Sequence, residues 1–160
     1  MKRATNESTG YLAAVEVAEP LKIPRTGGKF IGRGKGAKFV PARVCCDFAG
    51  TIRDGSGRML VCDFKRTDEQ FRYSTGDVTK LSPHQRDELV SHGRNNAVAG
   101  LLIESSATER QYWCPWDKLF NRFPGDWCTS VRFEEMLDLG PSSVVADLGR
   151  AIDYKTGATK

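Results

Sequence analysis

Asp47, Asp63 and Lys65 are the residues whose types and spacing point most directly to chemistry. Asp63 and Lys65 fall within "RMLVCDFKRT", residues 58–67, where Met59, Leu60, Val61, Cys62 and Phe64 have the composition of a strand buried on both faces. Positions two apart in a strand project from one face, so an acid and a base are neighbours in an otherwise apolar setting. In one reading this is an ion pair: Lys65 neutralises Asp63, and Asp47 finds a hydrogen bond or solvent. Such a trio stabilises poorly, because desolvation consumes the attraction and one carboxylate stays uncompensated. In the other reading a divalent cation held by Asp47 and Asp63 neutralises both acids. Lys65 would then hold or deprotonate the attacking water, or neutralise the phosphate it attacks. That set suits metal-assisted phosphodiester hydrolysis.

These residues need a hairpin to bring them together. Residues 43–52, "RVCCDFAGTI", and 58–67 read as strands joined by "RDGSG", which carries Asp-Gly and a second glycine. A "DGS" loop makes paired residue numbers sum to about 110 and sets Asp47 opposite Asp63; a "GSG" loop makes them sum to about 112 and sets Asp47 opposite Lys65. Either register gathers all three residues on one face, with Met59 and Val61 on that face and Leu60, Cys62 and Phe64 on the other, whereas a register with an odd sum would separate them. Residues 82–92, "SPHQRDELVSH", predict a helix with Ser82 as N-cap, Pro83 at the first position, Gln85 closing a capping box and Gly93 as the stop. Gln85 is explained either as a cap or as a polar group of the site, and His84 either as an exposed helix start or as a DNA contact. A first helix is expected over residues 8–19, capped by Ser8 or Thr9 and stopped by Pro20. "DEQFRYSTGDVTK" should finish the sheet, "AVAGLLIES" and "RQYWCPW" should be strands, and "WDKLFNRF" a short helical turn. "FEEMLDLG" and "SSVVADLGRAI" read as short helices and "DYKTGATK" as a frayed tail.

The 160 residues carry 24 Lys or Arg and 20 Asp or Glu, a formal net charge of +4. The length suits a single domain over residues 1–160. The positive charge is concentrated at the front. Residues 1–43 hold nine Lys or Arg against Glu7, Glu16 and Glu19, and no acid occurs between Glu19 and Asp47. The Gly-rich arm at about residues 22–43, with Lys22, Arg25, Lys29, Arg33, Lys35, Lys38 and Arg43, reads as a mobile loop or irregular extended arm. It would either grip nucleic acid through phosphates or form a solvated surface. No P-loop fits, because Lys29 and Gly36 stand where Gly and Ser or Thr are needed, and Gly32 and Gly34 are followed by Ala37 instead of completing GxGxxG. Five cysteines without metal-ligand spacing, and only two histidines, leave oxygens as the ligands of any metal. The longest apolar run, Ala97–Ile103, is too short to span a bilayer, and no signal sequence is evident, so a cytoplasmic protein is expected. Trp113, Trp116 and Trp127 read as core residues more than base-stacking platforms. Arg66 and Arg72 lie near the site and could hold phosphate.

Asp47 in "CCDFAG" followed by Asp63-Phe64-Lys65 in "VCDFKRT" resembles the PD-(D/E)xK nuclease signature, with Cys46 where that signature often has proline. "LSPHQ" before the helix, the strand near "AVAGLLIES" and the aromatic strand near "RQYWCPW" follow in the order of RecU-like Holliday junction resolvases. The resemblance covers roughly residues 40–120. It implies a restriction-endonuclease-like α/β core, a mixed central sheet flanked by helices. It also implies Asp47 and Asp63 as metal ligands, Lys65 as the catalytic lysine and Gln85 as an active-site polar group. Many relatives add a glutamate from the N-terminal helix, for which Glu16 is the candidate and Glu7 the reserve. Asp63 departs from the pattern, standing where glutamate is common. The implied activity is Mg²⁺-dependent (Mn²⁺ substituting) paired nicking of four-way DNA junctions by a homodimer, leaving 5′-phosphates, in a bacterial cell or phage-infected host. Arg25, Lys29, Arg33, Lys35, Lys38, Arg43 and Arg66 would contact DNA. The alternatives are a nuclease for linear or damaged DNA, and a nuclease-like fold that only binds nucleic acid.

Overall fold

A computed structural model describes residues 6–21, 28–31, 35, 38–41, 46–75, 80–119 and 130–154. In chain order its elements are α1 (Asn6–Val17), β1 (Ala18–Pro20), β2 (Gly28–Ile31), β3 (Lys38–Pro41), β4 (Phe48–Ile52), β5 (Met59–Thr67), β6 (Arg72–Ser74), α2 (Pro83–Arg94), β7 (Val98–Ser105), β8 (Arg110–Pro115), β9 (Ser130–Arg132), β10 (Leu137–Pro141) and α3 (Leu148–Asp153). A six-stranded mixed sheet, ordered β1-β4-β5-β7-β8-β10, forms the centre. Only the β5–β7 pair is parallel, and α2 lies on the crossover between them. Among the described residues no helix is long and apolar enough to cross a membrane.

Alternation along β5 divides the core into two layers. Val61 joins Leu89 of α2, Ala99, Leu101, Ile103, Tyr112 and Cys114 on one face. Leu60, Cys62 and Phe64 join Ala13 and Ala14 of α1, and Leu148 and Ala151 of α3, on the other. Burying one such side chain contributes about 1.5–3 kcal/mol, so both layers hold β5 in place. α1 lies close against it: a Cβ on Gly10 would come within 2.5 Å of the Phe64 ring. Cys46, Cys62 and Cys114 are buried in the core, as the reading of core thiols expects.

Several local expectations are corrected. α1 starts at Asn6, ahead of Ser8 and Thr9, and ends at Val17. Pro20 does not simply stop it but sits on β1, an edge strand, where a residue without an N–H is tolerated. The first strand of the hairpin begins at Phe48, not at residue 43. Within the arm, β2 and β3 pair antiparallel, with Phe30 opposite Phe39. Their apolar residues give those segments a β pattern that the surrounding glycines obscure. β6 does not extend the central sheet but pairs with β9 in a ribbon of its own. Gly93 lies inside α2, packed under the Trp116 indole, and the helix ends at Arg94 with Asn95 as its C-cap, followed by Asn96 at φ 67°. In "FEEMLDLG" only Phe133–Glu135 is helical, a 3-10 turn. Leu137 and Leu139 alternate instead into the edge strand β10, which bulges at Gly140, φ 101°. Of "SSVVADLGRAI", the α-helix takes up Leu148 onward.

Candidate functional site

The turn between β4 and β5 sets the site's geometry. Gly55 and Gly57 take φ 77° and 74°, and the Ser56 N–H donates to Asp54 Oδ1 at 2.9 Å. The pairing that results, Phe48 with Cys62 and Ala49 with Val61, is the "DGS" register, which sets Asp47 opposite Asp63. Reciprocal hydrogen bonds lock the two acids. The Asp47 N–H donates to Asp63 Oδ1 at 3.0 Å, and the Phe64 N–H donates to Asp47 Oδ2 at 2.7 Å. Each carboxylate therefore has one oxygen fixed by backbone and one left over. Asp63 is fully buried, and its Oδ2 has no hydrogen-bond partner among the described residues. Burial pushes its pKa up from 3.8 to about 6; Lys65 opposes the shift through its charge, and Asp47 adds to it.

Lys65 does not close the acid–base pair that the structural reading requires. Its Nζ donates to Gln85 Oε1 at 3.2 Å, and among the described residues it has no carboxylate partner within ion-pair distance. The same Gln85 Oε1 accepts the Ser82 N–H at 3.1 Å, while Ser82 Oγ accepts the Gln85 N–H at 3.2 Å. Gln85 is thus both the expected capping residue and the anchor of Lys65. The capping box, a local feature of α2, aims an acceptor at β5. Asp47, Lys65 and Gln85 are half-buried, so the cluster reaches solvent on their side. His84 Nε2 is buried without a partner beside them in sequence.

The other sequence candidates are dispersed. Glu16 is exposed on α1, whose buried side packs on the face of β5 opposite Asp63 and Lys65. Among the described residues no group of three or more His, Cys, Asp or Glu side chains is arranged to hold a metal, so Glu16 does not complete the site as expected. Glu7 lies on α1, but its side chain is not among those described. Arg66 is exposed and pairs with Glu104 at 3.4 Å. Lys35 is exposed; Lys29 and Lys38 are placed on β2 and β3 by their backbone. Arg25, Arg33 and Arg43 lie outside the described residues. Trp113 is buried in the core and Trp116 packs against it, as expected, while Trp127 lies outside the described residues. Sequence reasoning missed the backbone amides of Asp47 and Phe64, whose role was implicit in the register that pairs the acids.

No protein-family model matches the chain, and no curated protein matches it.

Asp47 and Asp63 thus present two neighbouring carboxylates, one with a buried oxygen that has no hydrogen-bond partner among the described residues.

Proposed function

We propose that this chain is a Mg²⁺-dependent, structure-selective DNA endonuclease that resolves four-way junctions by paired nicks as a homodimer. The observation that carries the reading is the unpartnered Asp63 Oδ2, held beside a second carboxylate while the nearest ammonium bonds elsewhere. A structural ion pair would have spent Lys65 on Asp63. Asp47 and Asp63 would hold Mg²⁺ (or Mn²⁺), which characteristically takes one or two carboxylates and would supply Lewis acidity toward the scissile phosphate and screen its charge. The backbone amides of Asp47 and Phe64 keep the free carboxylate oxygens oriented. Gln85 keeps Lys65 extended, with donors to spare for a phosphate oxygen or the attacking water.

Support for a restriction-endonuclease-like core comes from the order of elements: an N-terminal helix, an antiparallel meander β1-β4-β5, the crossover helix α2 and parallel β7. Support for DNA, and for a junction in particular, comes from the resemblance to RecU-like resolvases and from the acid-free basic segment ahead of Asp47. Such a segment recognises phosphate spacing and shape more than base identity.

The deciding experiment compares a four-way junction with a linear duplex of the same sequence, in Mg²⁺ or EDTA. Symmetric, Mg²⁺-dependent nicks in the junction alone are expected. Equal cutting of both substrates would replace the resolvase by a nuclease for linear DNA, and binding without any cutting would leave a nucleic-acid-binding protein.

A further inference from the structure

The β6–β9 ribbon carries features that the site at Asp47 and Asp63 does not use. Tyr73 and Val131 pair across it and are buried in the core, so the preceding pair, Arg72 and Arg132, stands on the opposite, exposed face. Like charges directly opposite each other in an antiparallel pair are unfavourable. Arg132 is offset by Glu134 at 3.1 Å in an exposed pair, whereas the Arg72 side chain has no hydrogen bond or ion pair among the described residues. Beside it, Phe71 is 74% exposed, more than any other large apolar side chain described. Its backbone is nonetheless fixed, because the Phe133 N–H donates to the Phe71 carbonyl at 2.9 Å.

Phe71, Arg72 and Arg132 line an open cavity of about 710 Å³, with Glu69, Phe133 and Glu134, the partner of Arg132, in its wall. Glu69 does not neutralise Arg72: its carboxylate turns to the Ser74 N–H at 2.9 Å, the Ser74 hydroxyl at 2.5 Å and Lys80 at 3.5 Å. The cavity adjoins the end of β5. The Ser105 hydroxyl donates to the Glu69 carbonyl at 2.6 Å and the Ser106 N–H to the Thr67 carbonyl at 2.9 Å, tying the turn after β5 to the end of β7. Between Lys65 and Phe71 the chain spans at most about 20 Å, roughly six nucleotide steps.

We infer that this ribbon is a second DNA subsite, in which Phe71 stacks on one unpaired base and Arg72, beside the Glu134-paired Arg132, holds an adjacent phosphate. The inference rests on the endonuclease reading and extends it to how branched DNA is distinguished. An exposed aromatic and an uncompensated guanidinium match the two repeating groups of a DNA strand, and stacking requires a base outside a duplex. A phosphorylated peptide would engage the arginines and leave Phe71 without a role.

The test uses the cleavage-deficient Asp63→Asn protein, so that substrate stays intact, and measures binding to a fluorescent four-way junction and to a single-stranded oligonucleotide by anisotropy. Phe71→Ala should weaken both about tenfold, with recovery in Phe71→Trp. Arg72→Ala should weaken binding and lower the slope of log affinity against log salt by about one. A 2-aminopurine at the branch point should change fluorescence on binding only when residue 71 is aromatic. Unchanged affinity in both Phe71→Ala and Arg72→Ala overturns the subsite while the endonuclease reading stands. Arg72-dependent binding of a phosphoserine peptide, with DNA affinity untouched, overturns it in favour of a protein partner. Absence of DNA binding by the parent protein, together with absence of cleavage by the wild type, overturns both.

Discussion

Asp63 and Asp138 stand on the same six-stranded sheet and meet opposite surroundings. Asp138, on edge strand β10, accepts two hydrogen bonds from Arg110, at 2.7 and 3.0 Å, and a third from the Gly140 N–H at 2.8 Å. Bonding to Arg110 above all holds its carboxyl below the usual value. Asp63, in the centre, receives one backbone N–H and keeps a buried oxygen without a partner. The edge acid is completed by the chain's own cation. The central acid keeps an oxygen to which no described residue supplies a partner.

Replacing Asp63 should give the largest effect. In Asp63→Asn, cleavage of a four-way junction should fall about 1,000-fold or more, while junction binding in gel shifts persists. The same variant should be more stable than the wild type in EDTA. A carboxyl raised from 3.8 to about 6 costs the folded protein about 3 kcal/mol once ionised. Because the folded value is the higher one, its contribution to stability is fully present below pH 3.8 and is lost as pH rises through about 6. Urea unfolding should therefore separate the two proteins at pH 7.5 and not at pH 3. A wild type as stable as Asp63→Asn at pH 7.5 would remove the contrast with Asp138.

Lys65→Met should come next, with cleavage reduced about 100-fold and binding weakened little. Removing the ammonium also removes the charge that restrains the Asp63 pKa, so the pH at which metal-free stability declines should move upward. Mg²⁺ should act in the opposite sense. At a concentration about 100 times its dissociation constant it should stabilise the wild type by about 2.7 kcal/mol at pH 7.5, and Asp63→Asn hardly at all. Calorimetric melting with and without Mg²⁺ reads both effects.

What was legible in the sequence follows the range of the physics involved. Turn chemistry in "RDGSG" and the two-residue period of "LVCDFK" are local, and together they favoured an even-sum register with Asp47, Asp63 and Lys65 on one face, of which the pairing of Phe48 with Cys62 is one. The capping box of α2 was equally local. The turn of Lys65 toward Gln85 depends on how α2 packs on β5, which neither segment encodes alone. Pairing of β6 with β9 joins segments more than fifty residues apart, and with no periodic signal in three-residue strands it could not be read in advance. "FEEMLDLG" misled because its acids favour a helix start, while Leu137 and Leu139 take the period of an edge strand. Glu16 had no motif to place it, and the packing of α1 on the opposite face did not bring it to the acids.

Gln85 separates two contributions that share one oxygen. Gln85→Ala should lose about 1 kcal/mol of stability with the capping box and about tenfold in cleavage with the anchor of Lys65. Gln85→Glu keeps the box, since glutamate closes it equally well, and so should keep stability in urea. Its added charge would pair with Lys65 and compete with substrate phosphate, so cleavage should still fall. Loss of stability and activity together in both variants would make Gln85 only a cap.

Asp138→Asn should have the smallest effect, and its sign is the counterpart of Asp63→Asn. The Arg110–Asp138 pair is nearly half exposed, so losing it should cost no more than about 1 kcal/mol at pH 7.5. The folded carboxyl is the stronger acid here, so its contribution is present above pH 3.8 and is lost as pH falls through the lowered folded value. The difference from wild type should therefore shrink at pH 2 and be independent of Mg²⁺. Junction cleavage should be unaffected, because Asp138 lies on β10, three strands across the sheet from β5. An Asp138→Asn protein that gained stability at neutral pH would place both acids in the same class, and the unpartnered oxygen of Asp63 would no longer mark a site.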